Sequence, residues 1–327
     1  MLAATAVKLD PENPLSGLRV GDHPDPEPRD GWTTVRLRAA SLNHHDLWSL
    51  RGVGLREDAL PMVLGCDGAG VDEDGNDVVV HAVISDPDHR GDETMDPKRT
   101  LLSEKYDGTL ADLVQVPRRN LVPKPAELSF DEAACLPTAW LTAYRMLFTQ
   151  AGVSPGSTVL VQGAGGGVAT ALIALGRATG VRVWVTSRDE AKRAKAVELG
   201  ADQAFESGAR LPERVDAVME TVGAATWDHS LKSVRQGGTV VVTGATGGHL
   251  ATTDLRRVFF LQLRIVGSTM GTRDELDRLV RLMAQTGVRP VIDTVLPLEQ
   301  AEDGFHRLAG GDVFGKIVLT RPGPSGS

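Results

Sequence analysis

TVLVQGAGGGVATALIALGRATG, from Thr158 to Gly180, passes from an apolar strand-like run through a cluster of glycines into a helix-forming segment. Val159-Leu160-Val161 is the run, Gly163, Gly165, Gly166 and Gly167 make the turn, and an Ala/Leu/Ile pattern extends from Val168 to Ala178. Glycines let the backbone bend sharply and approach a ligand closely. The first N–H groups of the following helix have no partner within it and point at that ligand, an arrangement suited to a pyrophosphate. Gly163, Gly166 and Ala169 stand three residues apart, and Ala169 keeps the small side chain that helix-on-strand packing requires. A glycine-rich turn is a weak signal alone. Here Val181–Val185 reads as the next strand and a helix from about Asp189 to Leu199, closed by Gly200, follows, so the turn sits inside a βαβ unit and a dinucleotide site is expected.

Toward the C-terminus the alternation of strand and helix continues. Val215–Met219 and Gly238–Gly244 read as buried strands, Arg264–Gly267 as another, and Asp274 to about Thr286 as a helix; Pro290–Thr320 reads as β text ending in Ile317–Leu319. Disorder is expected from Arg321 to Ser327. Toward the N-terminus, up to about Asn120, short runs such as Thr34–Arg38, Asp77–His81 and Ala111–Val116 are separated by prolines and Asp-Gly pairs, the text of a mostly antiparallel β domain. Ser85–Glu104 is polar with two prolines and reads as a solvated loop. Ser129 with Glu132 forms a capping-box pattern that opens a helix. The fold class expected is α/β, a doubly wound parallel sheet with a second, mostly antiparallel β domain. The boundaries expected are 1–121 with 288–327 for the β domain and 122–287 for the dinucleotide-binding domain.

A formal charge of −8 argues against nucleic acid or an anionic membrane as partner, since both favour clustered Lys and Arg; a small-molecule substrate is expected. No run approaches the ~18 apolar residues of a membrane span, and the acid and proline of MLAATAVKLDPENP do not read as a signal peptide, so a cytoplasmic location is expected. Two cysteines, Cys66 and Cys135, exclude a disulfide framework and a four-cysteine zinc site within one chain.

Seven ordered motifs carry a family resemblance: Ser41–Trp48 with Arg51-Gly52, Leu64–Gly70, Asp107–Ala111, Ala139–Tyr144, the glycine turn, Glu198–Asp202 and Gly315–Leu319. Over nearly its whole length the chain resembles the medium-chain dehydrogenase/reductase superfamily, and within it the zinc-free branch related to quinone oxidoreductases. The resemblance implies a GroES-like β domain built from both chain ends, a Rossmann domain between them, an active site in a cleft where nicotinamide meets substrate, and a homodimer. Zinc alcohol dehydrogenases hold their catalytic metal with a Cys, a His and a second Cys, and place an occasional Glu ligand after the His. The corresponding positions here are Asn43, Cys66, Thr138 and Asp67, and the structural zinc lobe is missing. No metal is therefore expected.

On the catalytic side the candidates are Asn43, His44, Asp46, Cys66 and Thr138. The Asn43 amide suits a developing oxyanion, or alternatively a structural role in the turn. His44 and His45 are read as surface or packing residues, with general-acid work as the rival; Cys66 is read as a buried filler and Asp67 as a backbone-bonding residue. On the cofactor side the candidates are Gly163, Gly165, Gly166, Gly167, Val168, Ser187, Arg188, Lys192, Gly244, Ala245, Thr246 and, by the resemblance, Lys316. Ser187 with Arg188 suits a 2′-phosphate and hence NADPH. Asp189 as a ribose-binding acid would instead give NAD, but it reads better as a helix cap. The function expected is zinc-independent, NADPH-dependent reduction of a quinone or an α,β-unsaturated carbonyl. An alcohol or carbonyl dehydrogenase and a non-catalytic NADPH-binding protein are the alternatives.

Overall fold

A computed structural model describes residues 1–321. The chain forms two compact units: the first takes the residues up to Ala139, Met270–Gly287 and those from Ile292 onward, and the second takes Trp140–Thr269 with Val288–Val291.

The first unit is built on a sheet ordered Leu121–Pro123, Asp77–Val80, Asp67–Asp72, Trp32–Ser41, Lys316–Thr320, Ile292–Pro297, with Leu113–Pro117 also paired to Trp32–Ser41. Neighbours run antiparallel except the last two strands, which run parallel. Trp32–Ser41 shows why it is a strand: Thr33, Val35, Leu37 and Ala39 are buried in alternation with more exposed residues. The alternation ends at Ala40 and Ser41, where both faces are covered and the polar site begins. A smaller sheet pairs Leu2–Ala6 with Leu18–Asp22 and with Met62–Val63.

The second unit holds six parallel strands in the order Gln203–Phe205, Arg182–Thr186, Thr158–Gln162, Val215–Glu220, Val234–Val242, Arg264–Gly267. Its inner strands are Val-rich and buried on both faces, as a parallel sheet between helices requires. The helix Gly167–Ala178 follows the glycine turn and buries Ala169–Gly176. The α/β class, the β domain and the parallel Rossmann sheet read from the sequence are all present.

Several local readings change. Residues 122–139 and 270–287, read with the dinucleotide-binding domain, cluster with the first unit. The reason is local: Arg38 and Lys124 lie over the Phe130 ring, and buried His81 donates to the Gly271 carbonyl at 2.9 Å. The tail is not β text throughout, since Ala301–Gly310 is a helix burying Ala301, Phe305 and Leu308 at helical spacing. Gly304 obscured that pattern, although its missing side chain is what lets the helix lie against Leu42. Ser85–Glu104 is not simply solvated, because Thr94, Asp96, Leu102 and Ser103 are buried. Arg321 is anchored by a backbone bond to Arg38 and by ion pairs to Asp112 and Glu299; the rest of the expected disordered tail lies outside the described residues. Among those residues no helix is long and apolar enough to cross a membrane.

Candidate functional site

In the first unit, the end of strand Trp32–Ser41 turns directly into the helix His44–Leu50, with Asn43 as its cap residue. The Asn43 backbone N–H donates to Asp46 Oδ2 at 2.8 Å, closing the turn. Strand Lys316–Thr320 pairs with the same strand end, and Asp67–Asp72 flanks it on the other side. This topology brings four polar side chains together in a buried place. Lys316, 3% exposed, donates from Nζ to Asn43 Oδ1 at 2.7 Å, Leu42 O at 2.7 Å and Asp67 Oδ2 at 3.0 Å. Ser41 Oγ and Asn43 Nδ2 donate to the same Asp67 oxygen at 2.7 and 2.8 Å.

An ammonium has three N–H donors, and here three oxygens receive them. Asn43 Nδ2 has two hydrogens; one is firmly held by Asp67 while the other faces Ser41 O at a long 3.4 Å. Asp67 Oδ1 and Asp46 Oδ1 are buried with no partner among the described residues. Burial pushes the Asp46 carboxyl up to about 6, against the pull of His45 and the Asn43 amide.

His45 links this cluster to the long excursion. Its Nδ1 lies 3.4 Å from Cys66 Sγ and its Nε2 3.3 Å from Glu104 Oε1. Burial opposes the charged ring, but Cys66, Glu104 and Asp46 outweigh it and raise its pKa. The Cys66 thiol is pushed up by burial and donates to Leu102 O. Exposed His44 starts the helix; desolvation by the surrounding protein, then the Lys316 and Arg51 charges, lower its pKa. The Thr138 hydroxyl is buried and unpartnered among the described residues.

Zinc does not fit this donor set. Position 43 offers an amide whose oxygen already holds Lys316, position 66 a thiol that donates to the Leu102 carbonyl, and position 138 a hydroxyl. Among the described residues, no three His, Cys, Asp or Glu side chains are placed to hold a metal ion.

A dinucleotide fits the second unit. Gly163, at φ +91°, makes the turn that an L side chain would strain. The 12-residue helix Gly167–Ala178 has no side-chain cap at Gly166, which leaves the amides of Gly167, Val168 and the next residue without a capping partner, and a Cβ at Gly166 would meet open space. At the next strand end, Asp189 caps the helix Glu190–Leu199 by accepting from the Lys192 amide, so its carboxylate is engaged. Ser187 Oγ accepts from the Asp189 amide. Exposed Arg188 has no hydrogen bond or ion pair among the described residues. Gly244 backs onto the Thr221 carbonyl, 2.5 Å from where a Cβ would stand, while Ala245 and Thr246 are exposed beyond it.

The structure therefore brings Asn43, Asp46, Asp67 and Lys316 into one cluster and adds Cys66 through His45; Lys316 belongs to the first unit and the glycine turn to the second. Ser41 and Glu104 were missed. Ser41 was visible only as part of a motif, and Glu104 was hidden in polar text.

The family profile described as "Alcohol dehydrogenase GroES-like domain" matches residues 29–126, and that described as "Zinc-binding dehydrogenase" matches 167–285. Acryloyl-coenzyme A reductase of Metallosphaera sedula is 30% identical over 326 residues, covering 93% of this chain and 96% of the relative. Among solved structures, one titled NAD-dependent alcohol dehydrogenase superposes with a TM-score of 0.90 at 35% identity, covering 98% of this chain and 100% of the other. A 2-octenoyl-CoA carboxylase reductase in complex with NADP and 2-octenoyl-CoA gives a TM-score of 0.88 at 25% identity, over 97% of this chain and 87% of that one.

Proposed function

The chain belongs to the medium-chain dehydrogenase/reductase superfamily, and on that premise we propose that it is a zinc-independent, NADPH-dependent oxidoreductase that reduces α,β-unsaturated carbonyl compounds, with quinones as a second acceptor class. The observation that carries the reading is the 2.7 Å contact from Lys316 Nζ to Asn43 Oδ1. A cation on the amide oxygen polarises the amide, so the loosely held Nδ2 hydrogen becomes a better donor to an oxyanion. The acryloyl- and octenoyl-CoA reductases among its relatives support a conjugated thioester as the substrate class.

NADPH supplies the hydride. Addition at the β-carbon of the acceptor leaves charge delocalised onto the carbonyl oxygen, where Asn43 stabilises it, and solvent protonates the α-carbon. Removing the high-pKa hydroxyl proton of a saturated alcohol asks for a Lewis acid, which the donors at positions 43, 66 and 138 are ill suited to hold. Ser187 with Arg188, which has no ion pair among the described residues, suits the 2′-phosphate, and Asp189 already uses one carboxylate oxygen as a helix cap.

The test follows NADPH consumption with acryloyl-CoA, crotonyl-CoA, a simple enone and a quinone, beside NADP⁺ or NAD⁺ with primary alcohols. Turnover of the conjugated acceptors with little alcohol oxidation is expected; the reverse pattern would install the second reading, an NAD-dependent alcohol dehydrogenase, which the 35% identical structure favours.

We further propose that a second copy of the chain covers the end of the parallel sheet. Arg264–Gly267 is its edge strand, paired on one side only, and Leu255, Phe259, Phe260 and Ile265 are large apolar residues left exposed on it and on the preceding helix Leu255–Phe260.

A further inference from the structure

Three neighbouring strands of the second unit end in buried polar residues: Thr186, Gln162 and Glu220. A polar side chain at such a place must be hydrogen-bonded or it costs stability, and here the bonds join the three strand ends. Thr186 Oγ1 donates to Gln162 Oε1 at 2.6 Å, Gln162 Nε2 donates to Ser230 Oγ at 2.9 Å, and Ser230 Oγ donates to Glu220 Oε2 at 2.5 Å. Gln162 Nε2 also lies 2.9 Å from His229 Nδ1, whose other ring nitrogen faces the Ala209 carbonyl. Glu220 Oε1 accepts from the backbone amides of Val222 and Gly223, both at 2.9 Å, and from Thr226 Oγ1.

Two of these strand ends are followed at once by loops assigned to the dinucleotide, and the third by a loop bonded to another such loop. Gln162 precedes Gly163, Thr186 precedes Ser187 and Arg188, and Glu220 precedes Thr221–Gly223. That last loop is itself tied to residues 244–248, through Gly247 N to Val222 O at 2.6 Å and Ala224 N to Gly248 O at 2.8 Å. One chain of side-chain bonds thus joins the starts of three loops, and backbone bonds extend the connection to the fourth. Thr186, Gln162 and Glu220 are each fully buried, so they act beneath the ligand surface.

We propose that Thr186, Gln162 and Glu220 are positioning residues for the dinucleotide, holding the loops at its two ends in one fixed arrangement before it binds. The proposal rests on the dinucleotide reading above. It predicts a common weakening of NADPH and NADH, because the loops lose their register while the Arg188 contact that distinguishes the two nucleotides keeps its chemistry.

The test compares Thr186→Val, Gln162→Met, Glu220→Gln and Glu220→Leu with wild type. Nucleotide affinity, KM for the acceptor, and hydrogen exchange at the Val222 and Gly223 amides are measured. Thr186→Val, which keeps the side-chain shape, should weaken both nucleotides roughly three- to ten-fold, and Gln162→Met about ten-fold. The NADPH/NADH ratio and the acceptor KM should stay as they were. Glu220→Gln should keep the Val222 and Gly223 amides protected through its remaining oxygen while losing the acceptor for Ser230, whereas Glu220→Leu should release the amides to faster exchange. Should Glu220→Leu fail to fold, the two milder variants carry the test. Wild-type affinity in both, or a changed nucleotide ratio, overturns the proposal. A wild type that binds neither nucleotide defeats the functional reading instead, and amide exchange in the unliganded variants still decides whether the chain of bonds sets the loops.

Discussion

Lys316 and Asp67 form an ion pair of 3.0 Å with side-chain exposures of 3% and 0%, one from the last strand of the chain and one from a strand some 250 residues earlier. The pair is fully desolvated, so neither charge can be removed without stranding the other. Lys316→Met should cost about 3–5 kcal/mol in chemical denaturation, and Asp67→Asn in the same background should recover part of the loss. Additive losses in the double-mutant cycle would show that the two charges are not coupled.

Asp46 makes stability depend on pH. Burial raises its carboxyl from 3.8 to about 6 in the folded protein, so the fold binds that proton more tightly than the unfolded chain does. Its contribution is fully present below about pH 4, declines between about pH 4 and 6 and is gone above, a total on the order of 3 kcal/mol. Asp46→Asn, which can still accept from the Asn43 amide, should abolish that slope and gain most over wild type at neutral pH. Parallel stability–pH curves for the two proteins would refute the assignment.

Arg188→Ala should weaken NADPH about ten-fold or more, equivalent to ~1.5–3 kcal/mol, and leave NADH nearly unchanged. Equal wild-type affinities for the two nucleotides would remove Arg188 from the 2′-phosphate.

Asn43→Ala should lower turnover with a conjugated acceptor ten- to a thousand-fold while changing nucleotide affinity little, because the amide works on charge that appears in the transition state. A rise in acceptor KM at constant kcat would instead mark Asn43 as a ground-state contact.

Phe260→Asp with Ile265→Asp places charge on the exposed apolar edge of the parallel sheet. Sedimentation should show a wild-type dimer and a variant monomer; a monomeric wild type removes the second copy from that edge.

Local sequence was enough wherever the signal was local. The glycine turn, the Val-rich strands, the Ser129–Glu132 capping box and the Asp189 cap all depend on residues within one turn or one strand of each other, and all stand where the text placed them. Periodicity also distinguished the two kinds of sheet, since alternate burial and continuous burial leave different patterns. The tail helix Ala301–Gly310 was lost because Gly304 lowers helix propensity, a cost repaid only by its contact with Leu42. The site itself was decided by tertiary structure. Lys316 is a surface-type residue in the text, and only the antiparallel pairing of Lys316–Thr320 with the end of Trp32–Ser41 brings its ammonium onto Asn43 and Asp67. The same holds for Glu104 at His45, and for Glu220, Gln162 and Thr186 beneath the nucleotide loops. Hydrogen bonds and ion pairs between residues far apart in the chain leave no periodic mark on it; they exist only once the backbone has brought donor and acceptor to within about 3 Å.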